Sequence, residues 1–452
     1  MPVRRVRSGA LIAALLVALL PALPGRAQIA SPDAFADTLR RSLDEDLLAH
    51  WYPRALDSVH GGYLSDFAHD WTPTGPQDKF IVTQARHVWT TARLHQVRPR
   101  PDSLYLRAAR HGVGFLRDAM WDETHGGFHS LVSRSGAVQQ GDGPYTATKT
   151  AYGQAFAIYG LAQYAAATGD PAARRFAQRA FRWLDAHAHD EVHGGYFRNL
   201  QPDGTPYRTG VDAETPPKGQ NSTIHLLEAF TTLYQVAPDT PALRDRLLEL
   251  LTLTRDTMTT ERGTLRLFFA RDWTPISYRD SAMAVREAHY ALDHVSFGHD
   301  VETAFLMLEA AEALGRDPAP TLSVGARMVD HALRHGWDRT TGGLYDGGLV
   351  VGPDSVRVVR RTKAWWAQAE ALHTFALWAE RRPDAAPDYA AKARATWRYI
   401  DRFLIDPEHG GWYRSGLDTA PDARTAPKGS IWKGTYHTAR ALLRTAALLE
   451  GS

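Results

Sequence analysis

The chain has 452 residues, 23% of them charged and 44% hydrophobic, with 13 Trp and no Cys. That composition excludes a disordered chain, a collagen and a disulfide-stapled scaffold, and the missing cysteine removes thiol catalysis and thiolate metal sites. Basic and acidic residues nearly cancel at a net +2, with no basic run, which argues against a nucleic-acid partner.

Residues 1–27 read as a cleaved export signal. Arg4, Arg5 and Arg7 precede an apolar run from Ala10 to Leu20 that is short for a bilayer span. Pro21 and Pro24 break the run, and Gly25-Arg26-Ala27 puts small residues at both key positions of a cleavage site. Cleavage there removes four arginines and no acid, which takes the net charge from +2 to −2. The expected product is periplasmic or secreted, without a membrane attachment. No later stretch is apolar enough to cross a membrane.

A length of this order suggests about three domains, but the rest of the chain is one unit repeated. His60-Gly61-Gly62-Tyr63 recurs as His125-Gly126-Gly127-Phe128, His193-Gly194-Gly195-Tyr196 and His409-Gly410-Gly411-Trp412. Weaker copies are Arg262-Gly263-Thr264-Leu265 and Gly342-Gly343-Leu344-Tyr345. A double Gly marks a tight turn or a positive φ, and an acid often lies a few residues upstream, as in Asp122, Asp190, Asp338 and Asp406. Between marks the pattern is helical, in 151–165, in Leu226/Phe230/Leu233 and in 364–379. The marks at 62, 127, 195, 263, 343 and 411 are 65 to 80 residues apart, room for two ordinary helices and their loops. Six helix pairs that each need a neighbour favour closure into an all-α (α/α)6 toroid, one domain over residues 28–452. The longest interval points to an insertion around Arg271 to Leu292.

Polar residues interrupt the helical pattern in a few segments. Arg86-His87-Val88-Trp89 is the first. In 218–225, Asn221 and His225 share a helix face at i, i+4. In 296–302, His299 and Glu302 do so at i, i+3, as do His437 and Arg440 in 432–440. Between the last two, Trp366 and Glu370 sit at i, i+4. A lone His among apolar residues is usually a hydrogen-bonded core residue, but three of them recur in three different repeats, each with a polar partner one turn away. A ring brings such positions to its axis, where Trp faces and polar groups suit a sugar. The clusters His187/His189/His193 and His331/His335 have spacings a metal could use, yet neither shows a full tetrahedral set. Gly-rich phosphate loops and a G-x-S-x-G elbow are absent.

At these residues the sequence resembles the N-acylglucosamine 2-epimerase family, nearest to its cellobiose or mannobiose 2-epimerases. The segments that carry the likeness are 221–234 (NSTIHLLEAFTTLY), 293–311 (DHVSFGHDVETAFLMLEAA), 363–372 (KAWWAQAEAL) and 431–443 (IWKGTYHTARALL). The resemblance implies an (α/α)6 barrel that inverts C2 of a reducing-end aldose of a β-1,4-linked disaccharide, with no cofactor or metal. It implies His299 and His437 as the acid/base pair, His225 near O1/O5, Arg86 as the holder of the enediolate and Glu302 as the carboxylate beside His299. Asn221, Trp365, Trp366, Glu370, Trp432, Tyr436 and Arg440 are the implied sugar contacts. Gly434-Thr435 and Thr223 depart from the family pattern beside that site. A mannose-isomerase type of aldose–ketose isomerase and a glycoside hydrolase using Asp66 and Glu302 are the alternatives. The expected partner is a small sugar, bound by a monomer or weak dimer.

Overall fold

A computed structural model describes residues 31–451, apart from 101–102, 140, 142–144, 147 and 213. The proposed export signal lies outside the described residues. Six inner helices, Ile81–Val97, Ala151–Thr168, Gln220–Val236, Phe297–Ala313, Trp365–Arg381 and Tyr436–Glu450, pack side by side in a closed ring. Outside each runs a partner: Leu104–Phe115, Pro171–Ala188, Leu243–Thr252, Ala319–His335, Tyr389–Phe403, and, for the last inner helix, the N-terminal Pro32–Ser42. The sixth pair is therefore made from the two ends of the chain, which closes the toroid.

Inner and outer helices differ as their sequences dictate. Along Ala151–Thr168 apolar and small residues occur on all sides, and nearly every side chain is buried. Pro171–Ala188 buries a single stripe, Ala173, Ala177, Ala180, Phe181, Leu184 and Ala188, and turns its arginines to water. Gly169 at φ 70° ends the first of these helices, and Asp170 caps the second by accepting from the Ala172 N–H at 2.8 Å.

Each repeat mark is a tight turn, and in all but the fourth its second Gly has no room for a side chain. At Gly127, φ is 72° and an added Cβ would lie 2.5 Å from the Trp183 ring. The weak fourth copy keeps one such glycine, Gly263, and Leu265 bridges Thr259 as Phe128 bridges Trp121. Thr264 thus stands where the other copies have their second Gly. A two-residue strand leads into several inner helices and pairs antiparallel with the strand after the next mark, as Lys149–Thr150 does with Asn199–Leu200. Successive repeats are thereby stitched along one end of the ring.

Beneath these turns lies a device the sequence reading did not identify. The acid upstream of the mark forms a buried ion pair with the lysine just before the inner helix: Asp57–Lys79, Asp122–Lys149, Asp190–Lys218, Asp338–Lys363 and, in the last repeat, Asp406–Lys428. Lys149 also donates to the Gly126 carbonyl at 2.6 Å, and Asp122 accepts from the Thr124 and His125 N–H groups. In the fourth repeat Thr260 replaces the acid and Val295 the lysine. Both partners are absent together, as expected where a single buried charge would be uncompensated.

The 271–292 insertion holds one short helix, Met283–Ala288. It leans on a hairpin, Gly347–Gly352 with Ser355–Arg360, through an Arg357–Glu287 bond of 2.5 Å. No helix among the described residues is long and apolar enough to cross a membrane.

Candidate active site

Arg86, His225, His299, Trp365, Trp366, Glu370 and His437 all lie in the first two turns of inner helices, at the same mouth of the ring. The positive ends of the helix dipoles converge there, so the mouth favours an anion and disfavours imidazolium.

The three histidines are held alike. His225 Nδ1 bonds Glu228 at 3.0 Å, His299 Nδ1 bonds Ser296 Oγ at 2.7 Å and His437 Nδ1 bonds Glu370 at 2.5 Å. Each anchored ring leaves Nε2 without a partner among the described residues. On His225 and His437 a carboxylate on Nδ1 selects the tautomer with a free Nε2 lone pair, the form a base needs, whereas the Ser296 hydroxyl on His299 can donate or accept. The Trp366 indole lies between two of them, 4.7 Å from the His299 ring and 5.8 Å from the His437 ring. Burial pushes the His299 imidazole down to about 4, against the opposing pull of Glu302. Burial, with Arg86, likewise drives His437 well below its usual value, while burial raises Glu370. The charge in that pair depends on its short hydrogen bond and on Arg440.

Arg86 donates to the Tyr152 hydroxyl at 2.9 Å, and its guanidinium lies over Phe156 (4.3 Å) and Tyr436 (5.0 Å). Among the described residues it has no carboxylate partner, so its charge is available to an anionic intermediate. Asn221 is exposed on the first turn of its helix, near Tyr152. Trp432 is 39% exposed and packs edge-on against Phe80 and Tyr145 at the rim, an open aromatic face for a sugar ring. Trp365 is half-buried, 5.6 Å from the Lys433 ammonium. Lys433, which burial lowers to about 7, bonds the Trp412 and Lys428 carbonyls and pins this rim segment.

Four expected roles are changed by the geometry. Glu302 does not hydrogen-bond His299; its Oε1 accepts from Arg440 at 2.6 Å and lies 3.9 Å from His437 Nδ1. Arg440 is fully buried, so it is not a sugar contact. It bonds Glu228, Glu302 and Glu370 together, and these carboxylates outweigh the cost of burying it. Tyr436, 1% exposed, is also behind the site, its hydroxyl on Glu228. Glu370 is spent on His437 and Arg440. Glu228 was missed altogether, although it repeats the His299/Glu302 spacing one helix earlier. Burial opposes its ionisation, but Arg440, His225 and Tyr436 overcome this and hold the carboxyl well below the usual range.

Glu302, Glu370 and His437 place ligand atoms within 4.8 Å of one another. Arg440 already supplies the positive charge to both carboxylates, so the cluster fits a guanidinium better than a metal ion. Glu302 is held by Arg440 at 2.6 Å and is buried, so it does not face a glycosidic oxygen as a hydrolase acid must. The His187/His189/His193 cluster is structural at its first two members: His187 bonds the Trp183 carbonyl and His189 bonds Glu249.

Residues 62–441 match the model of the N-acylglucosamine 2-epimerase (GlcNAc 2-epimerase) family. The chain belongs to that family. It is 27% identical over 411 residues to a cellobiose 2-epimerase of Bacteroides fragilis, covering 89% of this chain and 96% of that one. A D-mannose isomerase of Thermobifida fusca is 26% identical over 390 residues, 82% of this chain and 88% of that one. The solved cellobiose 2-epimerase of Spirochaeta thermophila superposes with a TM-score of 0.76 at 30% identity, over 93% of this chain and 98% of that one. The protein is thus an (α/α)6-barrel enzyme of the isomerase class.

Proposed function

We propose that the protein inverts C2 of the reducing-end aldose of a β-1,4-linked disaccharide, cellobiose or mannobiose, by proton transfer through an enediolate. The observation that carries the proposal is the pair of imidazoles, His299 and His437, flanking Trp366 with both Nε2 atoms unpartnered among the described residues. A proton α to an aldehyde is weakly acidic, so its removal calls for a base active near neutral pH and for stabilisation of the oxyanion. One His takes the C2 proton on one face, and the other returns a proton on the opposite face. Arg86 and the converging helix N-termini stabilise the negative charge on O1. His225, with Nδ1–H on Glu228, assists opening of the sugar ring at O5. Trp432 and Trp365 stack the second sugar.

Incubation with cellobiose, mannobiose and mannose separately in D2O tests this. Deuterium at C2 of a new aldose, lost in His299→Ala and His437→Ala, is expected. A ketose with deuterium at C1 would replace the proposal with the aldose–ketose reading, which the similarity to a D-mannose isomerase favours. Export before action is also proposed, from residues 1–27. N-terminal sequencing of the protein recovered outside the cytoplasm should begin at Gln28.

A further inference from the structure

A second cleft lies outside the ring, between the turn of the fourth repeat, the outer helix Ala319–His335, the hairpin tip and the 271–292 insertion. It encloses about 310 Å³ and is lined by Arg262, Arg279, Arg327, Arg334, His331 and His335. Its acids are Glu261, Asp330 and Asp354, and Asp330 already accepts the Tyr389 hydroxyl at 2.6 Å. Among the described residues Arg279 has only a 3.7 Å contact with Asp293 and the Arg327 guanidinium reaches only the Ser323 hydroxyl, at 3.5 Å. Arg262 and Arg334 have no carboxylate partner among the described residues.

The floor of the cleft is His331, 9% exposed, with Nδ1 buried and unpartnered and its ring 4.6 Å from that of His335. A buried imidazole without a hydrogen bond is costly unless something else occupies the site. Burial, then His335, Arg334, Arg262 and Arg279, push it down to about 3, so the local potential is positive. The C-terminal dipole of Ala319–His335 accounts for a cation at Arg334; burial and Arg334 lower the His335 imidazole. The dipole does not account for Arg262 and Arg279, which come from two other elements. The fork geometry of guanidinium matches phosphoryl oxygens, and a volume at the low end for ligand pockets suits a small molecule.

We propose that this cleft binds a tetrahedral dianion, a phosphoryl group either free or as the monoester of a small molecule, at a site distinct from the catalytic mouth. The proposal does not depend on the reaction assigned there. Calorimetric titration of the full chain with inorganic phosphate and, separately, with glucose 1-phosphate, at low ionic strength, tests it. The comparison is Arg262→Ser/Arg334→Ser, two exposed side chains, against Arg339→Ser, an exposed arginine not lining the cleft. Saturable binding that weakens tenfold or more in the double variant and is unchanged in R339S is expected. Binding of both titrants assigns the free anion, and binding of the ester alone assigns the ester. No saturation with either, or equal binding in the double variant, overturns the proposal. Arg327→Ser gives a second, independent loss if the double variant is poorly folded.

Discussion

The buried Asp–Lys pairs lend themselves to a double-mutant cycle, with the fourth repeat as a natural reference. At Asp122–Lys149 the ions are 2.7 Å apart, with Lys149 1% and Asp122 7% exposed. Breaking a buried pair at one end costs about 3–5 kcal/mol, because the remaining charge is stranded. The two ends are not equivalent. Without Lys149, Asp122 still accepts two backbone N–H groups; without Asp122, the ammonium keeps the Gly126 carbonyl and a 5.3 Å contact with the Trp183 ring but no counter-charge among its hydrogen-bond partners. Lys149→Val should therefore fall near the low end of that range and Asp122→Thr near the high end. The double variant recreates the Thr260/Val295 arrangement of the fourth repeat and should cost only about 1–2 kcal/mol, since replacing both ions is often close to neutral. With an unfolding entropy of about 2.1 cal/mol/K per residue, a chain of this size loses about 1 °C per kcal/mol. Scanning calorimetry at one scan rate should show midpoints lowered by roughly 3 and 5 °C for the singles and by roughly 1–2 °C for the double. If the single costs simply add in the double, the pairing argument is wrong.

Arg440→Met strands Glu228, Glu302 and Glu370 together, so it should cost at least the ~3–5 kcal/mol of one broken buried pair and abolish turnover; an unchanged midpoint would show that Arg440 is not their common partner. Gly127→Ala forces a side chain into φ 72° and onto Trp183, a loss of about 3 kcal/mol from strain and overpacking, read in the same calorimeter. The acid limb of kcat/KM should reflect His299 at about 4, so activity persists well below pH 6.5. A limb centred at 6.5 would place that ring in bulk water. The same depressed value makes the unfolded chain bind a proton first: nothing is lost above pH 6.5, and as pH falls toward 4 stability decreases by at most about 3 kcal/mol.

The architecture was legible because repetition is a property of sequence. Double-glycine turns are required by backbone sterics, and inner and outer helices differ in whether their apolar residues form a stripe or cover every side. The histidines could be read too, since i, i+3 and i, i+4 spacings fix which side chains share a helix face. What sequence spacing could not show is which groups from different helices meet. His299 and Glu302 share a face, yet the carboxylate turns to Arg440, 138 residues away. Glu228 and the Asp–Lys pairs passed for ordinary polar residues, because their burial exists only once the ring closes.

Sequence alone determined the number of units, the helical pattern between the marks and the side chains that share a helix face. Tertiary structure decided which of them face substrate and which are spent on one another. The reason is electrostatic: in a low-dielectric interior each charge must find a counter-charge, and the nearest one belongs to another helix. That pairing turned Tyr436, Glu370 and Arg440 from expected sugar contacts into the buried support behind the catalytic histidines.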